Sequence, residues 1–110
     1  MATRVDERPT RWTFLTNHAH VLLCIAGDPG VRLRDVAERV GITERATQGI
    51  VGDLVDAGYV SRTRVGRRNH YAVRDDLPLR HPIEQEHAIG HLLQLVAPPT
   101  GASRRARTRG

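Results

Sequence analysis

These 110 residues predict a small, mostly helical α+β domain with one β-hairpin. Three observations carry that expectation. Three successive segments space their apolar residues as helices do, and each stops at a glycine. Two short extended runs follow, joined by a turn that holds another glycine. The length suits a single domain with one core.

The first helix is expected from Thr16 or Asn17, both good N-caps, through Ala26. Gly27-Asp28-Pro29-Gly30 stops it with a strong turn signal. Its second half, Val21 to Ala26, is apolar nearly all round, which suits a central core helix. Trp12, Phe14 and Leu15 just ahead of it supply most of the scarce aromatic surface. The second helix is short, about Arg34 to Val40, with Val36, Ala37 and Val40 inward and Leu33 leading in. Gly41 ends it, because glycine enters the left-handed conformation without a steric penalty. Thr43 caps a third helix, about Glu44 to Ala57, in which Thr47, Ile50, Val51 and Leu54 form one buried stripe. Gly58 ends that helix.

The extended runs are Tyr59 to Val65 and Asn69 to Val73, with Val65-Gly66-Arg67-Arg68 between them. Tyr71 and Val73 alternate with His70 and Ala72, so one face is buried and the other open. Asp75 to Pro82 is a loop, since two prolines forbid a helix interior. Pro82 can open a last helix over about Ile83 to Val96, with Ile83, Ile89, Leu92, Leu93 and Val96 on its apolar side. Residues 1–11 read as a flexible arm and residues 97–110 as a disordered basic tail, leaving 12–96 as the folded domain.

All 17 basic side chains are arginine, against 12 acids, for a formal net charge of +5. The distribution is more informative than the total. Residues 60–74 carry Arg62, Arg64, Arg67, Arg68 and Arg74 with no acid, while the segments on either side of them are net acidic. The tail adds Arg104, Arg105, Arg107 and Arg109. A neutral body with one basic ribbon and a basic tail points to a directed polyanion contact, the alternative being a solvated surface.

Two helices joined by a glycine turn, then a basic hairpin, make a winged helix-turn-helix layout with an added carboxyl-terminal helix. The run Leu33-Arg34-Asp35-Val36-Ala37-Glu38-Arg39-Val40-Gly41-Ile42-Thr43-Glu44-Arg45-Ala46-Thr47-Gln48 carries a resemblance. It continues through Leu54-Val55-Asp56-Ala57-Gly58-Tyr59-Val60 and the wing Arg64-Val65-Gly66-Arg67-Arg68-Asn69-His70-Tyr71. Over about residues 14–96 the chain strongly resembles small bacterial regulators of the MarR and ArsR type.

The resemblance implies a homodimeric transcription regulator that binds double-stranded DNA at a near-palindromic site and needs no cofactor. The helix after Thr43 would enter the major groove and present Thr43, Glu44, Arg45, Gln48 and Gly49 to it. Arg45 can pair bidentately with guanine and Gln48 with adenine. Glu44 suits the helix start as a charge better than it suits base reading. Arg64, Arg67 and Arg68 of the wing would reach phosphates or the adjacent minor groove, Arg67 and Arg68 from its tip. The other reading of Arg45 and Gln48 is an exposed helix face with no partner.

Thr47 stands where such proteins bury an aliphatic residue, and its hydroxyl is expected to find the carbonyl four residues back. Gly49 and Gly52 each weaken the third helix by roughly 1 kcal/mol relative to alanine.

No metal is expected. Glu84, His87 and His91 would be the ligands of an ArsR-like metal-responsive sensor, being spaced to share one side of the last helix. A protein-interaction module on the same scaffold is the other alternative. Cys24, the single cysteine, reads as packing in an apolar helix and cannot form an internal disulfide. No stretch is apolar enough for a membrane span or a signal peptide, so a cytoplasmic protein is expected. No Ser/His/Asp arrangement, phosphate-binding glycine loop or cysteine pair points to an enzyme.

Overall fold

In the computed structural model, which describes residues 12–96, each helix begins and ends where local chemistry allows. The order is α1 (Asn17–Gly27), α2 (Leu33–Val40), α3 (Glu44–Asp56), β1 (Val60–Val65), β2 (Arg68–Val73) and α4 (Ile89–Leu95). This is the expected winged helix-turn-helix. The arm expected over 1–11 and the tail over 97–110 lie outside the described residues.

Thr16 caps α1 by accepting a hydrogen bond from the Ala19 amide. Thr43 caps α3 in the same way, accepting from the Ala46 amide at 3.0 Å. Gly41 takes φ 88° at the end of α2, and its N–H returns to the Ala37 carbonyl at 2.8 Å. An L side chain there would be strained, so the glycine sets the sharp turn between α2 and α3.

The core forms where α1, α2 and α3 meet the inner face of the hairpin. Val21, Ile25, Val36 and Val51 are fully buried, joined by Leu22, Val31, Leu54, Tyr59, Val60, Tyr71 and Ile89. Each such aliphatic side chain contributes roughly 1.5–3 kcal/mol through burial. Ala37, 6% exposed, is buried on α2 beside Val36, where a larger side chain would be overpacked. Thr47 is fully buried, and its hydroxyl donates to the Thr43 carbonyl at 2.9 Å, as its position required. Cys24 is half-buried against this core.

The hairpin is antiparallel, with Val60 opposite Val73, Arg62 opposite Tyr71 and Arg64 opposite Asn69. Its far edge is also occupied, because the Tyr71 amide donates to the Pro29 carbonyl at 2.9 Å. Thus β2 lies between β1 and the turn that joins α1 to α2.

The carboxyl-terminal helix departs from expectation. It begins at Ile89, six residues later than Ile83, and Pro82 does not open it. Ala88 is extended and bridges Pro78. The Leu79 amide donates to the His87 carbonyl at 2.9 Å and the Ile89 amide to the Leu77 carbonyl at 2.7 Å. These bonds hold residues 77–89 as a closed loop, and a helix cannot pass through an extended Ala88. The exchange buries Ile89 to 6% exposure while Ile83 stays 85% exposed. Gly90 then passes so close to Asp75 that an added Cβ would stand 2.8 Å from its carbonyl oxygen.

Candidate nucleic-acid interface

The buried stripe of α3 fixes which residues face out. At about 100° per residue, Arg45, Gly49 and Gly52 lie opposite Thr47 and Val51. Thr43, Glu44, Arg45, Gln48 and Gly49 are all exposed, so the leading turn of α3 is open to a partner. At Gly49 and Gly52 an added Cβ would meet nothing within 4 Å. Past Gln48 the exposed charges of the helix are acidic, Asp53 and Asp56. On α3 it is therefore the amino-terminal end whose charge suits a polyanion. There Arg45 supplies the cation, and the amides of Glu44 and Arg45 precede the first intrahelical bond. Glu44 sits in the same turn as a charge favourable to the helix start.

The basic residues of the hairpin have separate surroundings. Arg67 lies in the two-residue turn with Gly66, whose φ is 63°. Arg64 is exposed and its Nε reaches toward the Gly66 carbonyl at 3.4 Å. Arg68, next to Arg67, opens β2 opposite Val65 at the end of the wing, and its guanidinium donates to the Gly30 carbonyl. The same turn receives His70, whose ring would be 3.6 Å from a Cβ on Gly30. Arg74 is committed to Asp76 through two hydrogen bonds of 3.1 and 3.3 Å. That pairing, first by hydrogen bond and then by charge, raises the pKa of Arg74. In Asp76 the hydrogen bond from Arg74 is the main cause of a carboxyl pKa below its ordinary value. Sequence reasoning named no role for Arg62. Strand alternation from buried Val60 would have placed it on the inner face of the hairpin.

The candidate metal set is not assembled. Glu84 and His87 lie in the loop ahead of α4, and only His91 is helical. The His87 and His91 rings do meet edge to face, with centroids 5.7 Å apart. Among the described residues no group of three or more potential ligands comes together.

On another side, a cleft of about 670 Å³ lies between α1, the end of α3 and the 79–92 segment. Leu22, Leu54, Tyr59 and Leu92 supply apolar lining, and Asp56, Arg80 and Glu84 contribute charge. His18 and Asp53 bridge α1 to α3 there, with Nε2 and Oδ2 2.8 Å apart. Phe14 at its border is 91% exposed.

A family model described as MarR family matches residues 13–68, from before α1 through the wing turn. The chain belongs to the MarR family. Members of this family are transcriptional regulators rather than enzymes. No curated protein matches the chain.

Among solved structures, this MarR-family chain is similar to a MarR family protein of Mycobacterium tuberculosis in complex with salicylic acid. Identity is 26% and the TM-score 0.46, over 55% of this chain and 47% of that one. The chain thus spans about half the length of the mycobacterial protein. It is also similar to the PcaV transcriptional regulator of Streptomyces coelicolor in complex with its natural ligand. There identity is 24% and the TM-score 0.49, over 93% of this chain and 70% of that one. A third similar structure is the zinc-dependent regulator AdcR in its zinc-bound state. It is 20% identical with a TM-score of 0.44, over 91% and 73% of the two chains. No helix among the described residues is long and apolar enough to cross a membrane.

Proposed function

We propose that this MarR-family protein is a cytoplasmic, DNA-binding transcription regulator that acts as a homodimer on a near-palindromic duplex site. The observation that carries the proposal is the exposed, capped amino-terminal turn of α3, whose opposite face is locked into the core by Thr47 and Val51. A rigid helix with a free leading end suits insertion into the major groove. Arg45 pairs with a guanine and Gln48 with an adenine. Thr43 and the first amides of α3 meet a phosphate. Gly49 leaves room for close approach, and Glu44 serves the helix start. The wing, with Arg67 at its turn and Arg64 behind it, lies along the adjacent backbone or minor groove.

The dimer is supported by exposed apolar surface. Trp12 is 69% exposed and Phe14 91%, with their rings packed edge to face, and Phe14 lines the cleft; Ile83 is 85% exposed and Leu95 81%. Exposed large apolar side chains of this kind suit an interface. Two copies would place their third helices about 34–36 Å apart, in successive major grooves.

Selection from a random duplex library, followed by titration of the enriched site, tests the proposal. Arg45→Ala is expected to weaken binding to that site by about 1–3 kcal/mol, and Arg67→Ala to weaken binding to all sequences alike. Equal affinity of the wild type and both variants for every duplex would rule it out. Sedimentation of the wild type beside Phe14→Glu and Leu95→Glu tests the dimer, which the added charges should dissociate.

A further inference from the structure

The five arginines of residues 60–74 look equivalent in the sequence, yet the register of the hairpin separates them. Val60, Arg62 and Arg64 share one face of the ladder with Val73, Tyr71 and Asn69. Val60 and Tyr71 are 3% and 5% exposed, so this is the face turned toward the helices. Arg62, one step beyond Val60, points the same way but lies past the edge of the core, and is exposed. Ser61, Thr63 and Val65 point to the other side with Ala72, His70 and Arg68.

The commitments of the five cations differ as well. Arg74 is neutralised by Asp76. Arg68 is bound to the Gly30 carbonyl, and Arg64 leans on the carbonyl of its own turn. Among the described residues, Arg62 and Arg67 have no carboxylate within ion-pair distance and no side-chain hydrogen bond. Arg62 is therefore a cation on the inner face of the wing with no charge partner among the described residues. It stands four residues, about 13 Å, from the turn.

We propose that Arg62 is a phosphate-contact residue on the inner side of the wing, and that Arg68 is a positioning residue which ties the wing to the α1–α2 turn. The inference rests on the DNA-binding reading and adds to it a division of labour. Arg62 and Arg67, about 13 Å apart along the hairpin, would engage separate phosphates of one strand. Arg68 acts through Gly30, beside the Tyr71–Pro29 backbone bond, so that the wing approaches DNA at a fixed angle.

Salt dependence of duplex binding tests the proposal, because each neutralised phosphate contributes about −0.9 to the slope of log affinity against log salt. Because each protomer of the dimer would contribute one such contact, Arg62→Gln should make the slope shallower by about 1.8 units. The penalty relative to wild type should then shrink about 12-fold between 50 and 200 mM salt. Arg62→Lys should keep the wild-type slope. Arg62→Thr, with a residue that favours strands, is a second way to remove the charge should the glutamine variant misfold. Arg68→Met should leave the slope at the wild-type value while the Tyr71 amide exchanges faster with solvent. A wild-type slope in Arg62→Gln and Arg62→Thr would overturn the assignment of Arg62, and a slope about 1.8 units shallower in Arg68→Met would overturn that of Arg68. Wild-type protein that shows no salt-dependent affinity for any duplex would instead remove the DNA-binding reading itself.

Discussion

Replacing Thr43 by alanine removes one atom pair that sets the start of α3. The Thr43 hydroxyl accepts from the Ala46 amide at 3.0 Å, one of the four amides at a helix start that lack an intrahelical partner. The backbone carbonyl of Thr43, which accepts from both the amide and the hydroxyl of Thr47, is untouched by the substitution. The loss is therefore that of a cap alone, about 1 kcal/mol. For a domain of this size that lowers Tm by about 4–8 °C. The Ala46 amide should exchange about fivefold faster, since 1 kcal/mol of local protection is lost. Thr43→Ser keeps an acceptor and should behave as wild type. Thr43→Val keeps the shape without the acceptor and should behave as the alanine variant. Thermal unfolding by circular dichroism and amide exchange by NMR read both quantities. A Thr43→Val protein as stable as wild type, or a Thr43→Ser protein as weak as Thr43→Ala, would refute the reasoning that the hydroxyl caps the helix.

Other substitutions probe the rest of the fold. Thr47→Val removes a buried hydrogen bond worth about 1 kcal/mol but adds a buried methyl of about 0.8 kcal/mol. Because Thr43 keeps its backbone donor, denaturant unfolding should find the two proteins within about 1 kcal/mol of each other. Gly90→Ala puts a Cβ 2.8 Å from the Asp75 carbonyl, which is backbone and cannot swing away. It should cost about 1–3 kcal/mol in the same assay and loosen the packing of α4. The Asp76 carboxyl should titrate by NMR below the ordinary aspartate value of about 3.9, and Arg74→Gln should bring it back up. The sign follows from a depressed native pKa. Any stability from the pair is present above the unfolded-state value and is lost as pH falls through the native one.

The helices at the start of the chain were legible because their signals are local. Thr16 and Thr43 supply caps, Gly41 supplies the left-handed stop, and the apolar spacing of Val36, Val51 and Leu54 names the buried faces. The winged hairpin was legible for the same reason, from alternation around Tyr71 and a glycine turn. The last helix was misread because Ile83 and Ile89 look alike in a helical pattern. Which of them is buried depends on pairing between the 77–79 and 87–89 backbones, a contact that periodicity does not report.

The candidate interface divides in the same way. That Arg45 and Gln48 face outward follows from the stripe on α3, and that the hairpin is basic follows from composition. Arg68 turns back to Gly30, while Arg62 stays uncommitted among the described residues. Those facts depend on where a turn 38 residues earlier in the chain comes to rest. The amino-acid order by itself settled the element types, the buried faces and the concentration of positive charge, because caps, turns and periodicity act over a few neighbouring residues. Only the tertiary structure decided the start of α4, the break-up of the Glu84, His87 and His91 set, and the different surroundings of each wing arginine. Those outcomes depend on contacts between segments far apart in the chain, whose geometry no short stretch encodes.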